Sequence, residues 1–296
     1  MMTEKLAIIL AGDRDPTIGQ RALQDELLAG LRHRPGLDVT LLPHLVDLAP
    51  NGPAVRVLRS LAGDLIVLSW LYPRAAHWVL DAQGVRGRFG RISALGDEKK
   101  KEADGPPRPA RRRPDLPDRT IWCLDLRRFE RAEDCLAEIG RLAAALPGAR
   151  APAAEAGARL AAEAGGAATR VDESTRPRWY PVVDFDRCTA CMECLNFCLF
   201  GVYGLDDTPL PVVEQPDACR PGCPACARIC PEGAILFPRH DDPAIAGDPA
   251  AASAGLKLDL SQLLGADGAA DLAARERQRA VAELDQLVDG LENMDL

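Results

Sequence analysis

Apolar residues in the first half of the chain form short continuous runs that alternate with stretches of helical spacing. Four continuous runs predict buried strands, at residues 5–11, 38–45, 64–71 and 120–126. Apolar positions three or four residues apart predict the intervening helices, at residues 18–31, 54–61, 74–83 and 132–146. Strands that alternate with helices indicate right-handed crossovers and a parallel sheet covered on both faces. We therefore predict an α/β domain over residues 1–146, with a parallel sheet of about four strands.

The rest of the chain divides by composition. Residues 96–119 are rich in Lys, Arg and Pro, and we expect a mobile insertion loop, or alternatively a basic strip that docks an acidic partner. Residues 147–178 are rich in Ala and Gly, which predicts a flexible linker between separable folded regions. A cysteine-rich domain covers residues 179–239. Residues 240–296 form an acidic tail, in which residues 270–291 have the spacing of a helix that packs on its own protein or on a partner.

Charge and hydropathy exclude two functional classes. The formal net charge is −8 and the sequence pI is about 5.2, which argues against a nucleic-acid-binding protein. The start of the chain does not resemble a signal peptide, because charged residues follow the short apolar run at once. No run approaches the roughly 20 apolar residues that span a bilayer. We therefore expect a cytoplasmic protein without membrane insertion.

Eight of the ten cysteines lie in two closely spaced sets, and this spacing carries the candidate chemistry. The first set is Cys188, Cys191, Cys194 and Cys198, and the second is Cys219, Cys223, Cys226 and Cys230. Cysteines in a reducing compartment serve metal or redox chemistry more often than disulfides. Eight thiolates are what two [4Fe–4S] clusters require. Structural zinc sites instead use paired C-x2-C knuckles set well apart, so this spacing disfavours zinc.

The two cysteine sets belong to an internal repeat. Residues 191–203 match residues 223–235 at a constant offset of 32. Strands are expected at residues 180–185 and 234–237, and a hairpin between residues 202–205 and 211–213. The two halves can then pack as a pseudo-twofold pair.

With these motifs, residues 179–239 resemble the bacterial-type 2[4Fe–4S] ferredoxin family. The resemblance implies a small α+β domain that transfers electrons. It also implies two ligand sets in which the fourth cysteine of each half serves the other cluster: Cys188, Cys191, Cys194 and Cys230 for one, and Cys219, Cys223, Cys226 and Cys198 for the other. The sequence departs from the family pattern at Leu199, where proline is usual, and at Cys219, which lies one residue further from Cys223. The longer loop at Cys219 is expected to alter the potential or stability of one cluster.

The front domain lacks the glycine-rich phosphate motifs of nucleotide-binding enzymes, and its first loop is not the Ser/Thr-rich loop of a flavodoxin. Residues 12–16 (Gly-Asp-Arg-Asp-Pro) and His77 give it a faint resemblance to the sirohydrochlorin cobaltochelatase family. That family has a histidine where this chain has Ala11. With half of the metal-inserting pair absent, we do not expect chelatase activity.

The leading interpretation is a non-catalytic electron carrier that is a component of, or a donor to, a redox complex of unidentified partner proteins. The alternative is an enzyme whose α/β domain binds a tetrapyrrole or other small molecule and receives electrons from the clusters. In a third interpretation the clusters only stabilise the fold. Cys123 and Cys135 lie outside the motif and are expected to be buried apolar residues.

Overall fold

The computed structural model describes residues 6–32, 34–90, 92, 116–146, 168–205, 210–249 and 251, all of which fall in one compact unit that ends at Gly255. Its main feature is a six-stranded parallel sheet in the order β4-β5-β3-β1-β2-β6. The strands are β1 (Leu6–Ala11), β2 (Leu37–Leu42), β3 (Leu65–Ser69), β4 (Arg88–Gly90), β5 (Thr120–Asp125) and β6 (Thr169–Arg170). The predicted α/β domain and its four long strands are confirmed.

Four helices cover the sheet. They are α1 (Ile18–Arg32), α2 (Pro53–Ser60), α3 (Pro73–Ala82) and α4 (Ala132–Ala145). The helix α1 begins at a capping box, in which the Thr17 hydroxyl accepts from the Gln20 N–H at 3.2 Å and the Gln20 side chain accepts from the Thr17 N–H at 2.7 Å. One face of the sheet packs on α1 and α4, and the other packs on α2 and α3.

Two parts of the front domain differ from the prediction. The strands β4 and β6 are additional, because three and two residues carry too little pattern to be recognised. The strand β6 pairs in parallel with β2, so residues 168–178 are not an unattached linker, as the prediction for residues 147–178 had it. The basic insertion (96–119), apart from its last four residues, and the predicted tail helix (270–291) lie outside the described residues.

The cysteine-rich segment contains two small antiparallel strand pairs and two short helices. The strand β7 (Val182–Val183) pairs with β10 (Ile235–Leu236), and β8 (Tyr203–Leu205) pairs with β9 (Pro211–Val213). The helices are α5 (Glu193–Phe197) and α6 (Ala225–Ile229), which contact each other. The predicted strands and the predicted hairpin are confirmed.

A shared apolar core joins the cysteine-rich segment to the sheet. Nine of the ten residues of α3 are buried, because its outer side packs on β7. The rings of Trp78 and Phe185 meet edge to face, with centroids 5.7 Å apart. The same hydrophobic cluster contains Val79 from α3 and Val182 and Phe237 from the cysteine-rich segment. We therefore expect the two regions to depend on each other for stability, although their separation at the predicted boundaries stays a prediction.

Packing continues past residue 239, where the prediction placed the start of the acidic tail. A short helix, α7 (Pro243–Ala246), is capped by Asp242, whose side chain accepts from the Ala244 N–H. The Phe237 N–H donates to the Ile245 carbonyl at 2.9 Å and ties this helix to β10. Throughout the described part of the chain, every helix is too short or too polar to cross a membrane.

Candidate cluster-binding site

The eight cysteines lie on two structurally equivalent loops and short helices. Cys194 lies within α5 and Cys198 directly follows it; Cys226 lies within α6 and Cys230 directly follows it. The two helices are related by the offset of 32 residues that the sequence repeat predicted.

Backbone conformation follows the same repeat at two pairs of positions and departs from it at Met192, whose φ is 63° where the equivalent Pro224 has −109°. Ala190 and its equivalent Gly222 have φ of 58° and 78°. Gly201 and its equivalent Gly233 have φ of 65° and 57°. These left-handed turns let the chain bend sharply on either side of each helix, which glycine does without steric cost. Ala190 adopts the same left-handed conformation although it has a Cβ atom, so the geometry of the loop outweighs the steric preference of alanine at this position.

The first group of thiols combines three cysteines of the first half with one of the second. Cys188, Cys191, Cys194 and Cys230 line one small cavity. Burial, with a smaller contribution from the neighbouring Cys230 and Cys188, raises the pKa of the Cys194 thiol to about 12. Burial also raises the pKa of Cys188, with Cys230 and Cys191 again acting as like charges. The side chain of Cys230 is thus a neighbour of the first cysteine set.

The second group has the reciprocal composition. Burial raises the pKa of Cys219 to about 12, followed by the effect of Cys223 and Cys198. Burial, opposed by the hydrogen bond from Tyr203 and assisted by Cys219, Cys198 and Cys223, likewise raises the pKa of Cys226 to about 12. The side chain of Cys198 is therefore a neighbour of the second cysteine set.

Each group suits a polynuclear iron–sulfur cluster. Four neighbouring thiols resist ionisation in a buried site, since each thiolate repels the next. Iron cations offset that repulsion, and soft thiolates are suitable ligands for iron–sulfur clusters. Within the described ranges, no three His, Cys, Asp or Glu side chains converge closely enough to hold a single metal ion. A cubane does not need that convergence, because its four irons each take one cysteine.

In the part of the chain that the structure describes, hydrogen bonds reach the sulfurs of three candidate ligands. The Tyr203 hydroxyl donates to Sγ of Cys226 at 3.2 Å, and the Ala234 N–H donates to Sγ of Cys230 at 3.2 Å. The Ala190 backbone N–H also bonds Cys188 and lowers the pKa of that thiol, against the larger effect of burial. Donors of this kind stabilise negative charge on sulfur and tune the reduction potential of a cluster.

Residues of the front domain and of the connecting segment hold the cysteine loops. The Trp179 indole N–H donates to the Cys223 carbonyl at 3.1 Å, and its ring stacks on Phe237 with centroids 5.3 Å apart. The Arg178 guanidinium donates to Asp217, two residues before Cys219, and to the Leu48 carbonyl in the front domain. Arg74 of α3 binds the Asp184 carboxylate at 2.5 Å.

Sequence reasoning missed these contacts for a common reason. The partners are as far as 130 residues apart, as in the pair Arg178 and Leu48, and no short motif joins them. Tyr203 carries one local signal, since it stands where the other half of the repeat has the apolar Ile235. A polar tip at a predicted buried position indicates a hydrogen-bond partner.

The structure does not expose the histidine on which the chelatase resemblance depended. His77 is 4% exposed, and its ring lies against Trp78 and Phe89, with centroids 4.9 and 5.0 Å away. Burial lowers the pKa of His77 to about 4, which is the behaviour of a neutral core residue. Cys123 and Cys135 are buried, as expected, and burial raises the pKa of both thiols.

The fold and the site together define an α/β domain packed against a ferredoxin-like cysteine-rich segment. The chain is 41% identical over 66 residues to an uncharacterized ferredoxin of Methanocaldococcus jannaschii, an alignment that covers 22% of this chain and 44% of that protein. The chain thus spans less than half the length of this curated relative. No family model matches the chain. No solved structure matches it, so the cobaltochelatase resemblance is without support.

Proposed function

We propose that this protein is an iron–sulfur electron carrier that holds two [4Fe–4S] clusters. The observation that carries the proposal is the division of eight neighbouring thiols into two groups of four, each built from both halves of the repeat. The similarity to a ferredoxin over part of the chain supports the same function. Each cluster would accept and release one electron, and the protein sets its potential through burial, charge and hydrogen bonds to sulfur.

The ligand sets proposed are Cys188, Cys191, Cys194 and Cys230 for cluster I, and Cys219, Cys223, Cys226 and Cys198 for cluster II. The α5–α6 contact brings Cys194 and Cys226 near each other, and the pKa of Cys194 responds to Cys226. The two clusters would therefore lie close enough to exchange electrons within the module.

The test is the composition and redox behaviour of the full chain purified without oxygen. We expect about eight iron and eight acid-labile sulfide per chain, from four of each per cluster. Dithionite should bleach the visible absorption, and air-free oxidation should restore it. Stoichiometric zinc without sulfide would overturn the proposal, and clusters that resist reduction would favour a structural role.

A redox partner protein would dock beside Cys198. Four of the six large apolar side chains that are exposed in the described residues lie between positions 197 and 205: Phe197, Leu199, Phe200 and Leu205. Leu199 is 92% exposed and directly follows Cys198. The chain carries a net charge of −8, and each cluster with four thiolates adds negative charge, so the partner surface that fits is apolar at its centre and basic at its rim.

The variant Leu199→Gln places a polar, uncharged side chain at the centre of this patch. We expect it to slow electron transfer to such a partner while the iron content and both potentials stay at wild-type values, because no charge is added beside Cys198. The exposed Ile18, on the front domain, supplies the matched control Ile18→Gln. Equal rates for the two variants would argue against docking at this patch.

A second candidate function is supported by a cavity of about 660 Å³ in the α/β domain. It lies beyond the carboxyl ends of β1 and β2, where open α/β sheets bind ligands, and polar side chains such as Arg21, Gln24 and Asp25 line it. The protein would then be an enzyme that feeds electrons to a small polar molecule. Optical bands beyond those of the clusters, in protein purified from its native cells, would favour this function.

We also propose a cytoplasmic location, since free thiols persist and clusters assemble in reducing compartments. A fusion to a reporter that fluoresces only in the cytoplasm tests this directly.

A further inference from the structure

The buried side chain of Arg74, in the front domain, binds the peptide group between Gly233 and Ala234, which is hydrogen-bonded to Cys230, a proposed ligand of cluster I. Arg74 lies on α3 and is 8% exposed. Its Nε donates to the Asp184 carboxylate at 2.5 Å, and its terminal nitrogen donates to the Gly233 carbonyl at 2.6 Å. Both acceptors belong to the cysteine-rich segment, 110 and 159 residues away in sequence.

The Gly233 carbonyl belongs to the same peptide group as the Ala234 N–H. That N–H donates to Sγ of Cys230 at 3.2 Å. A guanidinium on the carbonyl oxygen withdraws electron density from the peptide and makes its N–H a stronger donor, because hydrogen bonds in a chain polarise one another. The relay therefore runs from the Arg74 guanidinium, through one peptide, to the sulfur of Cys230.

The anion that accompanies Arg74 is also tied to cluster I. The Asp184 carboxylate accepts from the N–H groups of Asp186 and Arg187, at 2.9 and 3.2 Å. The Asp184 carbonyl accepts from the Cys188 N–H at 2.9 Å. Arg74 thus binds both chain segments that supply ligands to cluster I, the one before Cys188 and the one after Cys230. Among the described residues, Arg74 makes no such contact with the segments that hold the ligands of cluster II.

We propose that Arg74 is a positioning residue for electron transfer, through which the α/β domain raises the reduction potential of cluster I above the value that its cysteine loop alone would give. The inference rests on the proposed function. The reduced cluster carries one more negative charge than the oxidised cluster, so a nearby cation and a strengthened N–H···S bond favour the reduced form. The front domain then changes the reduction potential of cluster I, in addition to packing against the cysteine-rich segment.

The experiment compares Arg74→Gln and Arg74→Lys with the wild-type full chain in an anaerobic redox titration followed by electron paramagnetic resonance. Arg74→Gln should lower the reduced-to-oxidised ratio of cluster I about tenfold at a fixed potential, which is about 59 mV for one electron. The potential of cluster II should not move. Arg74→Lys keeps the charge but loses the planar fork that binds carboxylate and carbonyl together, so its shift should be smaller and in the same direction.

Arg187→Gln is the matched control. Arg187 faces the same Asp184 carboxylate at 3.8 Å, but its side chain is 45% exposed. Solvent screens such a charge, so we expect no comparable shift. Equal shifts from Arg187→Gln and Arg74→Gln, or an unchanged cluster I in both Arg74 variants with full iron content, would overturn the inference.

Two further outcomes are distinct from these. If Arg74→Gln does not retain cluster I, the titration of Arg74→Lys provides the test. An unchanged potential of cluster I in Arg74→Lys would then contradict the proposed role of Arg74. A wild-type chain without iron and sulfide would instead refute the proposed function itself, since no cluster signal would exist to shift.

Discussion

The backbone N–H of Arg178 donates to the carboxylate of Asp47 at 3.0 Å, across 131 residues of sequence. Asp47 is 2% exposed and also binds the guanidinium of Arg14, whose Nε lies 2.7 Å from it. One buried anion thus joins the first loop of the sheet domain to the segment that enters the cysteine-rich region. The side chain of Arg178 extends the connection to Asp217 at the cysteine loop.

We expect Asp47→Asn to destabilise the whole compact unit. The amide keeps the shape but loses the charge that Arg14 requires, and breaking a buried pair costs about 3 kcal/mol. For a unit of this size the thermal midpoint should fall by about 6–12 °C, as measured by circular dichroism without oxygen.

Asp217→Asn is the control for that change, because Asp217 is 49% exposed at the other end of the same network. Solvent screens the half-exposed Asp217 carboxylate, and the buried Arg178 guanidinium keeps its bond to the Leu48 carbonyl, so the loss should be about 0–1 kcal/mol and the midpoint should move by a few degrees at most. If Asp47→Asn proves as mild as Asp217→Asn, the network does not hold the two regions together.

The reciprocal composition of the thiol groups predicts the outcome of paired cysteine substitutions. Cys198→Ala combined with Cys223→Ala should remove ligands from cluster II alone and leave about four iron per chain. Cys198→Ala combined with Cys191→Ala should damage both clusters and leave almost none. Iron and sulfide analysis distinguishes the two double variants, and the opposite result would show that each half binds its own cluster.

Tyr203→Phe should lower the potential of cluster II only. Burial raises the pKa of the Tyr203 phenol, so the hydroxyl stays protonated and remains a donor to Cys226. Loss of one net hydrogen bond of about 0.5–1.5 kcal/mol corresponds to about 20–60 mV for one electron.

The control for Tyr203→Phe is Tyr180→Phe, which also removes a buried hydroxyl. The Tyr180 ring packs against Arg178, with the guanidinium carbon 4.6 Å from the ring centroid. Its effect on either potential should be small. A potentiometric titration in which both tyrosine variants shift the same cluster equally would rule out a specific role for the Tyr203 bond.

Buried histidines should make the fold sensitive to mild acid. The pKa of His77 is lowered by burial to about 4, while the unfolded chain titrates near 6.5. The unfolded state therefore binds more protons between these values, and stability is full above pH 6.5 and falls as the pH drops toward 4. From pH 7 to pH 5 the loss is about 2 kcal/mol for His77.

His77→Leu tests this, because the variant should lose part of the pH slope of the thermal midpoint whatever its stability at pH 7. His44, whose pKa burial also lowers to about 4, should supply a second part of the slope. An identical slope in wild type and His77→Leu would show that His77 titrates alike in the folded and unfolded states, and hence that burial does not lower its pKa.

The sequence predicts the long elements because their patterns are strong. The strand β1 is a run of six apolar residues, and α1 places Leu23, Leu27 and Leu31 on one face. The strand β6 could not be predicted, since Thr169 and Arg170 are exposed edge residues in a segment rich in Ala and Gly. Its place is decided by pairing with β2, which is a tertiary contact.

The candidate site divides in the same way. Cysteine spacing alone selects the eight thiols, because cluster ligands lie close together in sequence. The charged residues near these thiols could not be predicted from the sequence, since Arg74 and Asp184 meet only when α3 packs on β7. The sequence does contain one indirect sign of that packing: α3 (PRAAHWVLDA) is apolar around most of its circumference, as a helix covered on two sides must be.

The two-sided burial of α3 has a consequence for synthesis of the protein on the ribosome. The helix emerges about 100 residues before β7 and Phe185, which pack on its outer side, and at 5–20 residues per second that interval is on the order of 5–20 s. During this time the outer face, with Trp78, is exposed to other nascent chains. Under the proposed function, cells short of iron would prolong the exposure, because the covering segment would gain folding free energy only when its clusters bind. Iron supply would then govern not only the redox function of the protein but also its yield and its need for chaperones.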